Sequence, residues 1–153
     1  MPRPELFLDS SALFAGVVSP DGAARVLLLL AEAGLVTVTI SEQVVAETER
    51  TVARRVSQAL PYYREALRST GLRIMRDPSP EEVEAHQDII AHQADVPLVV
   101  AVMRADVDYL VTLNWQRFID DSDVAVRLEL RIGAPGGALA WVQERWRYHE
   151  RLS

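Results

Sequence analysis

The chain is 153 residues long, 49% hydrophobic and 25% charged, which suits a single domain, 1 to 153, with a core of its own and excludes a disordered tail. It has no cysteine, excluding disulfides, thiolate zinc sites and cysteine nucleophiles, and no lysine, excluding the P-loop nucleotide hydrolases that need one on the phosphates. A net charge of −6 offers no global basic field to nucleic acid, and the apolar run Val26 to Ala31 is far too short to span a bilayer; with an acid as early as Glu5, neither a membrane segment nor a secretory leader is expected, and the expected address is the cytoplasm.

Period and punctuation along the chain alternate between short strands and helices. Residues 5 to 10, ELFLDS, read as an apolar strand ending on an acid. A helical region follows from Ser11 to about Val18, then a turn at SPDG and an alanine- and leucine-rich helix from about Gly22 to Ala33, with Gly34 as its stop. LVTVTI, 35 to 40, is β-branched and strand-like, and Ser41 stands where the N-cap of the next helix, EQVVAETERTVARRV, belongs. A second helix starts near Pro61 and runs to about Ser69, and LRIMR, 72 to 76, is a third strand. In DPSPEEVEAHQDIIAHQ the prolines and paired glutamates mark a helix start, where the macrodipole favours negative charge. The short apolar helix VPLVVAVMRA leads into the strand YLVTL, which stops at Asn114, the only asparagine in the chain. The tail supplies a strand around LELRI, then GAPGG, then an amphipathic helix over 137 to 151. Near-continuous apolar strands alternating with helices imply an α/β fold, a parallel sheet flanked by helices.

In open α/β sheets, ligands bind at the carboxyl ends of the strands. Asp9 ends the first strand and Asn114 the strand YLVTL; Glu47 lies two turns into the helix after the second strand, and Asp95 opens the helix before YLVTL. If the first and fourth strands are neighbours, all four side chains reach one cleft. Three carboxylates within about 5 Å would repel by roughly 3 kcal/mol per pair at an effective dielectric of 20, so such a cleft requires a cation. Oxygen-only ligands suit Mg²⁺ or Mn²⁺, and an ion held there lowers the pKa of a water and stabilises charge on a phosphodiester under in-line attack. The chemistry implied is metal-assisted phosphodiester hydrolysis. Each acid also has a plainer explanation: Asp9 as a turn former, Glu47 as a solvated helix residue with Glu49 as its rival, Asp95 as a cap ahead of Pro97.

Charge is segregated along the chain. Seven arginines (50, 54, 55, 64, 68, 73 and 76) face one acid, Glu65, a local balance of +6 that leaves −12 elsewhere. This pattern suits a basic surface for polyanions beside an acidic site, or simply a solvated helix face. His86, His92 and His149 lack the spacing of a helical metal pair, and Trp141 and Trp146 belong to core or dimer packing. The leucines 27 to 30 read as a helix buried on more than one face.

FLDSSALFAG, ISEQVVAETER, ADVPLVVAVMRADVDYLVTLN and LRIGAPGGALAWV stand in an order and at a spacing that resembles PIN-domain proteins, including the VapC-type toxins of bacterial toxin–antitoxin modules, from residue 6 to about 142. The resemblance implies a three-layer α/β/α sandwich around a mostly parallel sheet of four to five strands, and an endoribonuclease dependent on Mg²⁺ or Mn²⁺. By position it makes Asp9, Glu47 and Asp95 metal ligands, with Ser10 or Ser11 at the hydroxyl position after Asp9 and Thr112 at the hydroxyl closing the fourth strand. Asn114 falls where many members carry a fourth aspartate, and with Ser11 or Thr112 it would orient water or complete coordination. Arg117 stands where a further acid often follows, while Asp120 and Asp121 lie out of register, a departure at the second metal position. Arg50, Arg54 and Arg55 would hold RNA phosphates. The implied partners are RNA, a cognate antitoxin protein and a second copy of the chain. The alternative is a weak or inactive PIN domain that binds RNA or protein, motivated by Asn114 and Arg117; a DNA flap nuclease ranks lower, because so short a chain offers no added clamp.

Overall fold

The computed structural model describes residues 2–120, 124 and 128–152. Leu6, Phe7 and Leu8 are wholly buried, and a strand with no solvent face belongs at the centre of a sheet covered on both sides. This strand, β1 (Glu5–Leu8), pairs in parallel with β2 (Thr37–Ser41) on one side and β4 (Tyr109–Val111) on the other, so that Leu6 lies opposite Val38 and Tyr109. With β3 (Arg73–Met75) and β5 (Arg131–Gly133) the sheet has five strands in the order β3-β2-β1-β4-β5, all parallel.

Helices α1 (Ser10–Val18) and α2 (Ala23–Glu32) link β1 to β2, and α3 (Glu42–Arg55) and α4 (Leu60–Ser69) link β2 to β3. The chain then crosses back through α5 (Pro80–Ala85) and α6 (Val96–Ala105) to β4; α7 (Trp115–Asp120) follows β4, and α8 (Pro135–Leu152) closes the chain. Parallel crossovers are right-handed, so the links stepping outward from β1 to β3 lie on one face and those returning to β4 and β5 on the other. The α/β/α sandwich expected from the sequence is the fold observed. No single described helix is long and apolar enough to cross a membrane.

The differences from expectation have local causes. β1 stops at Leu8 because Asp9 turns the chain: its Oδ1 accepts the Ala12 N–H at 3.0 Å and caps α1. The last strand starts only at Arg131, since Glu129 takes a left-handed φ of 53° that an extended LELRI cannot contain. Nor does Asn114 end a strand: β4 closes at Val111, and Asn114 sits in the following turn, its carbonyl accepting from the Arg117 N–H at 3.0 Å. The helix α7 that this turn opens was not foreseen. Leu27 and Leu28 are buried and Leu30 packs against the core, whereas Leu29 is 52% exposed. Trp141 and Trp146 also pack on the core, with Trp141 tilted against Tyr109 at 5.5 Å between ring centres.

Candidate active site

The order of strand connection reverses between the parallel neighbours β1 and β4, where the sheet steps one way to β2 and the other way to β5, and this switch point opens a crevice at the carboxyl ends of the strands. Asp9 enters it directly from β1. Its backbone N–H donates to the Val111 carbonyl at 3.2 Å, tying the end of β1 to the end of β4. The Ser11 hydroxyl donates to Asp9 Oδ1 at 2.6 Å and accepts the Leu113 N–H at 3.0 Å, so a single side chain fixes both the carboxylate and the loop after β4. Thr112, fully buried, hydrogen-bonds Asp9 and accepts the Asn114 N–H at 3.0 Å. Burial raises the Asp9 carboxyl above its ordinary value, opposed by the Ser11 and Thr112 hydroxyls, the Ala12 amide and the charge of Arg117.

Glu47 reaches the crevice from α3, which Ser41 caps by accepting the Val44 N–H at 3.3 Å. Gln43, one turn earlier on the same face, donates to Glu47 Oε1 at 2.8 Å, and Ser10 donates to Oε2 at 3.0 Å. The two serines after Asp9 thus divide their work, Ser11 holding Asp9 and Ser10 holding Glu47. The rival Glu49 points elsewhere and pairs with Arg64 at 3.5 Å. The helix is anchored from behind by Tyr63, whose hydroxyl donates to the Val45 carbonyl at 2.9 Å and is pushed up to about 12 by burial and then by the Glu49 charge.

Asp95 ends a 3₁₀ turn, Gln93–Asp95, ahead of α6, and its side chain caps nothing. It meets Arg117 instead: Nη2 donates to Oδ1 at 2.9 Å, and Nε lies 2.7 Å from Oδ2. The second approach is an ionic contact without hydrogen-bond alignment, so Oδ2 remains a buried carboxylate oxygen with no aligned donor. A cleft of about 90 Å³ results, lined by Asp9, Ser10, Glu47, Asp95, Asn114 and Arg117 among others. The four predicted residues come together, with Ser11 and Thr112 supporting Asp9 from behind.

Ser10 also lines an adjoining groove of about 380 Å³ that carries Arg54, Arg55 and the exposed Leu113. Arg50 is exposed one turn earlier on α3. The rest of the basic segment is partly committed elsewhere: Arg64 to Glu49, Arg68 to Glu65 at 2.9 Å, and Arg73 to the Ala105 carbonyl at 2.8 Å. Ser10, named with Ser11 as the hydroxyl after Asp9, serves Glu47 instead, and Arg117, noted where a further acid often follows, pairs with Asp95. Gln43 was missed, although its i, i+4 spacing from Glu47 was a usable signal.

Oxygen donors from three acids, a buried Asp95 Oδ2 without an aligned donor and an Asp9 carboxylate disfavoured by burial fit a hard divalent cation such as Mg²⁺ or Mn²⁺. As the side chains stand, no three acids among the described residues approach closely enough to enclose an ion, and Ser10, Gln43 and Arg117 hydrogen-bond oxygens of Glu47 and Asp95. Asp121 and the side chain of Asp120 lie outside the described residues.

This fold and this acid-lined switch point define a class, and the PIN-domain family model matches residues 5–116: the chain belongs to the PIN-domain family. Its structure is similar to that of PAE2754 from Pyrobaculum aerophilum, with a TM-score of 0.63 at 17% identity over 92% of this chain and 90% of that one. It is also similar to VapBC2 from Rickettsia felis bound to a DNA fragment from their promoter, with a TM-score of 0.56 at 17% identity over 84% and 98% of the two chains. A third likeness is to VapC20 of Mycobacterium tuberculosis, described as a sarcin-ricin loop cleaving toxin, with a TM-score of 0.50 at 18% identity over 69% and 86%. At these identities the likeness is one of fold. No curated protein matches the chain.

Proposed function

We propose that the protein is a Mg²⁺- or Mn²⁺-dependent endoribonuclease, the toxin of a toxin–antitoxin module acting on RNA in the cytoplasm. One observation carries the reading: Asp9, Glu47, Asp95 and Asn114, from four separate parts of the chain, line a single cleft at the switch point of a PIN fold. Asp9, Glu47 and Asp95 would hold the divalent ion, which when bound supplies charge neutralisation and a water of lowered pKa.

The rest is the work of this chain's own groups. Ser11 and Thr112 fix the direction of the Asp9 carboxylate. Asn114 presents a neutral oxygen and an amide N–H₂ at the cleft, able to orient a water without adding charge. Arg54 and Arg55, in the groove that shares Ser10 with the cleft, are placed to hold phosphates of the strand, with Arg50 extending the same helix face. Such contacts position RNA and carry no sequence information. A small antitoxin with a basic residue for the acidic cleft and a second copy of the chain are the proposed protein partners; the likeness to VapC20, described as a toxin, and to the promoter-bound VapBC2 supports the first, and light scattering tests the second.

Asp9→Asn keeps a side-chain oxygen for Ser11 and Ala12 while removing the charge, and should reduce Mg²⁺-dependent RNA cleavage to background; undiminished cleavage overturns the assignment. The Arg117–Asp95 pair favours one competing reading, a binding module. RNA binding that is indifferent to Mg²⁺, with no cleavage by the parent protein, would establish it.

A further inference from the structure

We infer that Arg117 is a standing cation of the site, and that the cleft consequently takes one divalent ion per chain and not two. The inference rests on the metal-dependent reading above but concerns ion count, which that reading leaves open.

The geometry is specific to this side chain. Arg117, in the first turn of α7, lines the cleft, donates from Nη2 to Asp95 Oδ1 at 2.9 Å and brings Nε to 2.7 Å from Oδ2 as an ionic contact. Asp95 is only 7% exposed while the Arg117 side chain is 42% exposed, so the guanidinium meets a buried carboxylate from the solvent side, and removing it would leave that carboxylate unpaired. Asp9 and Glu47 line the same cleft as this guanidinium.

Charge balance then sets the ion count. Among the described residues lining the cleft, Asp9, Glu47 and Asp95 give −3 and Arg117 gives +1, a net of −2. A single divalent ion neutralises that net charge; a second would enter a site with no compensating negative charge and a guanidinium already in it. Arginine suits the part because it stays charged at any working pH and its planar fork matches a carboxylate. Lysine, absent from the whole chain, would bring a point charge without the fork. Asn114 points the same way, since it lines the cleft with an oxygen but no charge.

The test counts Mn²⁺ bound to the full chain, without RNA, by calorimetric titration and by the loss of the free-ion paramagnetic signal. The parent protein should bind one Mn²⁺. Arg117→Glu takes the net charge to −4 and should bind two, whereas Arg117→Lys keeps the charge and should bind one. Arg117→Gln, at −3, keeps one ion and should hold it at least tenfold more tightly, which gives a readout if the Glu variant fails to fold. Two Mn²⁺ of comparable affinity on the parent, or variants that all bind like the parent, would overturn the inference. The two proposals fail separately: two ions on a parent whose RNA cleavage still needs Asp9 removes this one alone, and RNA cleavage indifferent to Asp9 removes the other.

Discussion

At the residue scale the central fact is that Asp9 is a buried carboxylate whose ionised form is disfavoured by its own position. Its folded pKa lies above the ordinary aspartate value of about 3.9, mainly through burial. The folded state therefore binds this proton more tightly than the unfolded chain does. Stability from this group is greatest below about pH 4 and is lost as pH rises through the raised folded value, so at neutral pH the charge is a net cost. Asp9→Asn should melt at a higher temperature than the parent at pH 7 in EDTA, with the gain shrinking towards pH 4. A lower melting temperature at pH 7 would mean that the hydrogen bonds from Ser11 and Ala12 outweigh burial. Asn114→Asp tests the opposite side of the cleft: a new charge about 5 Å from a divalent ion is worth about 2 kcal/mol even at the dielectric of water, or more than tenfold in affinity. Equal or weaker Mg²⁺ binding in a calorimetric titration would remove Asn114 from the site. Asp9 was legible because it closes an apolar strand at the start of an α/β chain, and Asn114 because the PIN resemblance places a fourth aspartate at its position. Arg117 was not, since its partner lies 22 positions away and the pair depends on how α7 is aimed.

At the element scale the site is held by close packing of α1, whose first residues Ser10 and Ser11 serve the site, against α2, which carries no site residue. α1, which begins at the Asp9 cap, crosses α2 at Gly16, where an added Cβ would stand 2.8 Å from Leu28 Cδ1 and 3.2 Å from the Ala24 carbonyl oxygen. The leucine end can shift; the backbone carbonyl cannot without moving α2. Arg25 of α2 closes the same junction, donating to the Gly16 and Val17 carbonyls at the end of α1 while its guanidinium lies 4.1 Å from the centre of the Tyr62 ring. Gly16→Ala should therefore cost about 1–3 kcal/mol as overpacking, although alanine is the better helix former by about 1 kcal/mol. Urea titration checks it, and a stabilised variant would show that propensity decides at this crossing. Helix starts were the legible part of these elements, because Ser41, the prolines and the paired glutamates are local signals; the start of α5 is closed by a reciprocal capping box of Ser79 and Glu82 that the sequence reading did not name. Strand ends and α7 were not, because they are set by the Asp9 turn, the left-handed Glu129 and the Asn114 carbonyl.

At the scale of the whole molecule, the alternation of apolar strands and helices made the parallel sandwich legible, but the strand order was an assumption until β4 was found beside β1. That adjacency is what converts separated acids into a cleft, and it also decides which arginines matter. Of the seven in the basic segment, Arg54 and Arg55 are exposed, make no ion pair among the described residues and line the groove joined to the cleft through Ser10. Arg68 is equally exposed but already paired with Glu65. Binding of a single strand releases counterions with a log–log salt slope of about −0.7 per phosphate contact. Removing both groove arginines, as Arg54→Ala with Arg55→Ala, should weaken binding of single-stranded RNA in EDTA and make the salt slope shallower by about 1.4, two contacts' worth. Arg68→Ala should leave the slope where it was. Fluorescence anisotropy across a salt series reads both quantities at once. A double variant with the parent slope, or an Arg68 variant that loses as much, would place the RNA path away from this groove.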